Sequence, residues 1–170
     1  GNVAILDLNA LRMNYGGNYL PLDVIKKQIN VAKWDLIGIG GLTTTYSRMK
    51  QLIPLLRKTS PDSVIISGGG WSSYNPDEIM QLIPQIDMVC IGEGEETFTE
   101  VYDELANGGR NFEKVKGLCI NNNGLPLYTE PRALISDLNT VPYPHYDLYE
   151  LDIYFKYSSY PYSLEALNAK

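Results

Sequence analysis

The stretch DMVCIGEGEETFTEVYDEL, residues 87–105, decides the fold. Its apolar run Met88–Ile91 stops at Gly-Glu-Gly-Glu and passes straight into a helical pattern with Phe98, Val101, Tyr102 and Leu105 on one face. Glycines between a strand and a helix often cradle a phosphate, because free N–H groups at the helix start meet the anion. This loop carries Glu93, Glu95 and Glu96 instead, so a phosphate would be repelled. Acidic residues in a first helical turn are favoured by the helix dipole, which accounts structurally for Glu95 and Glu96.

Working outward, similar apolar runs occur at Val3–Leu6, Leu36–Ile39, Val64–Ile66 and Leu118–Ile120. Most read as continuous rather than alternating, as strands covered on both faces require. Helical faces lie between them: Ile25, Ile29 and Ala32; Met49, Leu52, Ile53 and Leu56; Ile79, Met80 and Ile83. Strand alternating with helix at this spacing predicts an α/β fold, a doubly wound parallel sheet. Beyond it, CINNNGLPLYTEP predicts a hairpin turning at Asn123-Gly124, and the Pro- and Tyr-rich residues 131–170 an irregular tail whose tyrosines suit a contact surface. The expected division is therefore an α/β domain over 1–130 and a linker over 131–170.

The 170 residues carry a formal charge of −6, with 44% hydrophobic and 20% charged side chains, a globular composition for one sizeable core. The acidic balance disfavours nucleic acid and anionic membranes as partners. No apolar run approaches the roughly 20 residues that span a bilayer, and no leader pattern opens the chain, so a cytoplasmic location is the default. Cys90 and Cys119 lie in strands without a C-x-x-C spacing and read as small buried apolar residues rather than metal ligands.

In an open parallel sheet, ligands bind beyond the carboxyl ends of the strands. Four loops should occupy that edge: DLNALRMNYGG, GGLTTTYS, SGGGWSS and GEGEET. Gly40 and Gly41, with Leu42, precede three hydroxyls, Thr43, Thr44 and Thr45, which either cap a helix or bond a ligand. Three consecutive glycines, Gly68, Gly69 and Gly70, each cost roughly 0.5–1 kcal/mol relative to alanine in regular structure, so something must come close to that backbone. Trp71 beside them would offer a flat wall to a ring. In the last loop, Gly92 and Gly94 can present backbone, while Glu93 and Glu95 can accept hydrogen bonds from ligand amides. A bulky, amide-rich, weakly charged ligand suits this edge better than a nucleoside triphosphate.

These residues resemble the cobalamin-binding domain of cobalamin-dependent radical S-adenosylmethionine enzymes. Similarity runs from Val3 to Leu151 and is most specific at Asp87–Phe98 (Asp-x-Val-x-x-Gly-Glu-Gly-Glu-x-Thr-Phe), with further matches at the Gly-Leu-Thr loop, the Gly-Gly pair, Pro76–Ile79 and the linker Ile135–Tyr149. The resemblance implies a corrin lying over the carboxyl edge, its nucleotide tail entering beside Gly40–Thr45 and Gly69-Gly70. It implies that the module is not catalytic alone and belongs to a larger enzyme, for instance a methyltransferase. S-adenosylmethionine and a 4Fe-4S cluster would be held by a radical domain placed beyond Lys170, since no Cys-x-x-x-Cys-x-x-Cys occurs here.

Three departures qualify the match. Gly40 stands where the family's tail-loop serine would be. The family's Asp-x-His-x-x-Gly motif is absent and His145 is the only histidine, so cobalt is expected to receive no histidine ligand from this chain. The strand and helix that precede the Val3–Leu6 segment in family members find no counterpart in this sequence, for which trimming or a reduced fold is the expectation, and an uncovered sheet edge would invite pairing with a second copy. Two rival readings remain: a cobalamin-free interaction platform within a radical enzyme, and a free-standing flavodoxin- or receiver-like nucleotide domain, for which Asp7 alone is a weak acceptor. Filling the tail channel by Gly69→Trp or Gly70→Trp should abolish corrin binding and leave the fold intact.

Overall fold

The structure, a computed structural model, describes residues 2–16 and 20–157. The chain divides into two compact units, residues 29–141 and residues 1–28 with 142–170.

The larger unit is built on a five-stranded sheet in sequence order: β1 Leu36–Gly40, β2 Val64–Gly68, β3 Met88–Cys90, β4 Leu118–Asn122 and β5 Leu125–Tyr128. The first three are parallel, with Leu36 opposite Val64 and Ile66 opposite Met88. β4 then runs antiparallel to β3 and pairs with β5 in a hairpin, so the sheet is mixed rather than wholly parallel. The chain reverses at Asn123 and Gly124, whose φ angles of +55° and +87° fit the expected type I′ turn.

The parallel crossovers are made by α3 Tyr46–Thr59 and α4 Pro76–Leu82, and their right-handedness sets both on one face. α3 buries Met49, Leu52, Ile53 and Leu56, the face its periodicity predicts. α5 Glu95–Ala106 covers the other face: Val101 packs with Val64, Ile66, Met88, Cys90 and Leu118, and Leu105 flanks them. Of the expected face Phe98, Val101, Tyr102 and Leu105, Val101 is buried and Leu105 half-buried, while Phe98 and Tyr102 stay about 40% exposed and Thr97 is buried in their stead. Phe98 instead leans on β1, where a side chain on Gly38 would meet its ring at 2.9 Å. Beneath the sheet, Arg57 donates to the carbonyls of Pro61, Ser63 and Gln85 and to Asp87 Oδ2 at 2.5 Å, while Asp87 also accepts the Ile65 N–H. That network anchors the amino ends of β2 and β3.

In the smaller unit the expected strand Val3–Leu6 does not form. A strand exists through the neighbour it pairs with, and among the described residues Val3–Leu6 has none, leaving Val3 76% exposed. The stretch expected as the following loop folds as α1 Leu8–Asn14, capped by Asp7, whose Oδ1 accepts the Asn9 and Ala10 N–H groups at 3.0 Å. α2 Leu22–Ile29 follows; Gly17 lies outside the described residues. The tail is less irregular than expected. It forms short 3-10 turns at 138–140 and 146–148 and then α6 Leu151–Tyr157, whose Tyr154 hydroxyl donates to Asp7 Oδ2 at 2.6 Å. Residues 158–170, also expected to be irregular, are outside the description. Among the described residues no helix is long and apolar enough to cross a membrane.

Candidate functional site

The carboxyl ends of β1, β2 and β3 bring three glycine loops to one edge of the larger unit. The first two touch backbone to backbone. Gly69 has φ +79°, and a Cβ placed on it would lie 2.9 Å from the Gly41 carbonyl oxygen. Gly41 in turn leaves room for Thr45 Oγ1, 2.6 Å from where its own Cβ would stand. The Thr43 hydroxyl donates to the Gly70 carbonyl at 3.3 Å, and the Thr45 hydroxyl to the Leu42 carbonyl at 2.6 Å. The Thr43 hydroxyl therefore ties the two loops together, while Thr45 closes its own turn and does not cap α3. Thr44 and Leu42 are exposed.

Other glycines at the edge have no such internal reason. A side chain on Gly40 would meet nothing within 4 Å, and one on Gly70 only the edge of Tyr74 at 4.0 Å; neither has a positive φ. Gly92 also faces open space, at φ +80°. Gly68 would merely touch Cys90 Cβ at 3.6 Å, and Gly94, the residue before α5, would touch Cys90 Sγ at the same distance. The edge thus holds vacant room at two strand ends where glycine is conformationally unnecessary. Tyr74, 92% exposed, and Leu42 stand as apolar rims in these same loops.

Trp71 is buried rather than presented as a wall, with Cδ1 3.6 Å from a Cβ on Gly41. Its Nε1, together with the hydroxyls of Ser67 and Ser72, is buried without a hydrogen-bond partner. Unpaired buried polar groups cost roughly 1–3 kcal/mol each, and three of them within residues 67–72 mark the end of β2 as a place where hydrogen bonds remain to be made. Ser73 by contrast donates to the Cys90 carbonyl at 2.7 Å and ties this loop to β3.

The third loop uses its carboxylates internally. Glu93 Oε2 accepts the backbone N–H of Ile135 at 2.6 Å. Arg132, 9% exposed, binds Glu96 and Glu100 at 2.6 Å each and donates through Nε to Thr97 Oγ1 at 2.8 Å. Glu95 lies in the first turn of α5, where its charge meets the helix dipole. Nothing in the sequence pointed to Arg132, which belongs to no apolar face or local motif, and Thr97, though part of the Gly-Glu-Gly-Glu-x-Thr-Phe match, carried no assigned role. The nearest signal was the surplus of carboxylates in the loop itself. Burial pushes the Cys90 thiol up, opposed by its hydrogen bond with Thr97 and the nearby Arg132 charge. Among the described residues no three His, Cys, Asp or Glu side chains gather as a metal site.

This edge fits a large ligand lying over the strand ends with a part inserted between loops. The room at Gly40 and Gly70 and the orphaned donors beside them are what such a ligand would use. A family model, the B12 binding domain, matches residues 2–102. An uncharacterized methyltransferase of Pyrococcus horikoshii is 31% identical over 135 residues, covering 79% of this chain and 29% of that protein. An anaerobic magnesium-protoporphyrin IX monomethyl ester cyclase of Synechocystis is 32% identical over 104 residues, 61% of this chain and 21% of its own length. The fold is shared with the radical S-adenosylmethionine methyltransferase TsrM of Kitasatospora setae, solved with cobalamin and a [4Fe-4S] cluster. That likeness has a TM-score of 0.58 at 17% identity and covers 68% of this chain and 22% of TsrM. The chain therefore spans less than a third of each of these proteins.

Proposed function

Because the chain belongs to the B12-binding domain family, we propose that it is the cobalamin-holding module of a larger radical S-adenosylmethionine enzyme, with methyl transfer or a related radical reaction as its chemistry. One observation carries this reading: the edge leaves room at Gly40 and Gly70 that no element of the larger unit requires. Residues 1–130 form the module, and 131–170 lead on toward the radical domain, which supplies S-adenosylmethionine and an iron–sulfur cluster.

Gly40, Gly41, Leu42 and Thr43–Thr45 would flank the nucleotide tail on one side and Gly68–Gly70 on the other. Ser67, Ser72 and Trp71 Nε1 offer it hydrogen bonds, while Gly92–Glu95 bound the corrin rim. When bound, cobalamin supplies a transferable alkyl group at its metal. The chain's part is to hold and orient the corrin and keep water from its buried side. On this reading the cobalt would take no histidine ligand from this chain, whose single histidine, His145, is exposed beside Asp147.

A second reading has one observation in its favour. β1, half-buried though apolar, has a single neighbour, β2, among the described residues, and its open edge suits pairing with a second copy or another strand. A cobalamin-free platform that assembles through this edge would follow from that feature.

The test is co-elution of hydroxocobalamin with the protein on a sizing column, repeated with Gly40→Trp and Gly70→Trp. The module reading requires colour in the wild-type peak and none with either variant. Equal retention by all three removes these loops from the site.

A further inference from the structure

The carboxylates of the Gly-Glu-Gly-Glu loop have a role that the corrin reading does not absorb. Glu93 sits between Gly92 and Gly94 at the carboxyl edge, yet its oxygen reaches a backbone amide 42 residues along the chain. The segment it holds is the one that leaves the hairpin after β5. The same segment is gripped two further times. Arg132 lies against three side chains from the first two turns of α5, Glu96, Thr97 and Glu100, and the Glu130 carbonyl accepts the Gly117 N–H at 2.8 Å. Gly117 is at φ +76°, and a Cβ there would lie 3.0 Å from Thr97 Oγ1 and 3.3 Å from Arg132 Cβ, so the glycine makes room for the guanidinium stem. Thr97 completes the node by donating to the Lys116 carbonyl at 3.1 Å.

Resting on the corrin reading above, we infer that Glu93 and Arg132 form a latch that couples corrin binding at the carboxyl edge to the ordering of residues 131–135. Glu93 is the positioning residue: one end of its loop lines the edge and the other holds the departing chain. The latch is built to open. Glu96 and Glu100 are 59% and 46% exposed, and ion pairs that solvated are weak, whereas the Glu93 bond to an amide is charge-assisted and short. A ligand that requires the closed loop therefore stabilises the closed segment. Linkage makes the effect reciprocal: the factor by which release of the segment weakens corrin binding equals the factor by which corrin suppresses release. Corrin occupancy would in this way be reported to whatever follows residue 135.

Trypsin reads the latch directly, because cleavage at Arg132–Ala133 needs that side chain withdrawn from Glu96 and Glu100 and the surrounding backbone freed from Glu93. Under dilute protease the rate follows the population of the open form. Arg110, exposed, serves as the control site in the same digest. The latch predicts that saturating hydroxocobalamin slows cleavage at Arg132 at least fivefold relative to Arg110. Glu93→Ala should speed it about tenfold without corrin and weaken corrin binding measurably, by no more than the factor by which corrin slows wild-type cleavage. Glu93→Gln, which keeps an acceptor and tests the same point should the alanine variant fold poorly, should fall between. Corrin binding with unchanged cleavage at Arg132, or a Glu93→Gln protein equal to wild type in both readouts, overturns the coupling and leaves the edge site standing. No corrin binding by the wild-type protein overturns the edge site and the coupling with it.

Discussion

Replacing Gly69 by alanine separates the glycines that hold the edge together from those that leave it open. Gly69 has φ +79°, in the left-handed region that costs a residue with a Cβ roughly 1–2 kcal/mol. The added Cβ would also stand 2.9 Å from the Gly41 carbonyl oxygen and 3.4 Å from its nitrogen. Both are backbone atoms, so the two loops must part, at a further cost of about 1 kcal/mol or more, as for other overpacked sites. Gly69→Ala is thus expected to lose about 3 kcal/mol, which for a chain of this size lowers Tm by roughly 6–12 °C. Gly40→Ala and Gly70→Ala meet no strain and at most a 4.0 Å contact, and should stay within about 0.5 kcal/mol of wild type. Thermal and urea unfolding followed by far-UV circular dichroism decide the matter. A Gly69→Ala protein within 1 kcal/mol of wild type, or a Gly40→Ala protein as damaged as Gly69→Ala, would refute the reasoning. The calculation also moves the corrin test from Gly69, where tryptophan would break the fold, to Gly40 and Gly70.

Three further outcomes follow from the geometry. Arg57→Ala removes the donor of four bonds at the amino ends of β2 and β3, and urea unfolding should show a loss of about 2 kcal/mol. The Glu104 carboxyl is held below its ordinary value of 4.5 by its hydrogen bond with Lys114 and then by the Asn111 N–H. A depressed folded pKa stabilises above the unfolded value, so the advantage of wild type over Glu104→Gln in urea should be present at pH 7 and shrink as pH falls below 4.5. Burial pushes the Cys119 thiol up to about 11 and raises Cys90 as well. A thiol reagent at pH 8 should therefore label neither in the folded protein and both once it is unfolded, and rapid native labelling of Cys119 would contradict its burial.

Strands β1 to β3 were legible because a strand covered on both faces must be apolar throughout, and Leu36–Ile39, Val64–Ile66 and Met88–Ile91 are. The hairpin was legible because Asn123-Gly124 favours one backbone geometry. The antiparallel direction of β4 was not, since a short apolar run carries no sign of its direction. Val3–Leu6 has the composition of a strand but no strand partner among the described residues, and a pairing requirement cannot be read from the residues that need it. At the edge, sequence located the glycines but could not distinguish Gly69, locked against Gly41, from Gly40 and Gly70, which face open room. Arg132 escaped because its partners lie 32–36 residues away, a contact that only the folded hairpin creates.

The most direct measurement is a visible-absorbance titration of the chain with hydroxocobalamin, with His145→Ala in parallel. Saturable binding of one corrin per chain, with the same spectrum in both proteins, is the predicted result. A spectrum that never departs from that of free hydroxocobalamin, with all colour passing through a dialysis membrane, would contradict the claim that this edge holds the cofactor.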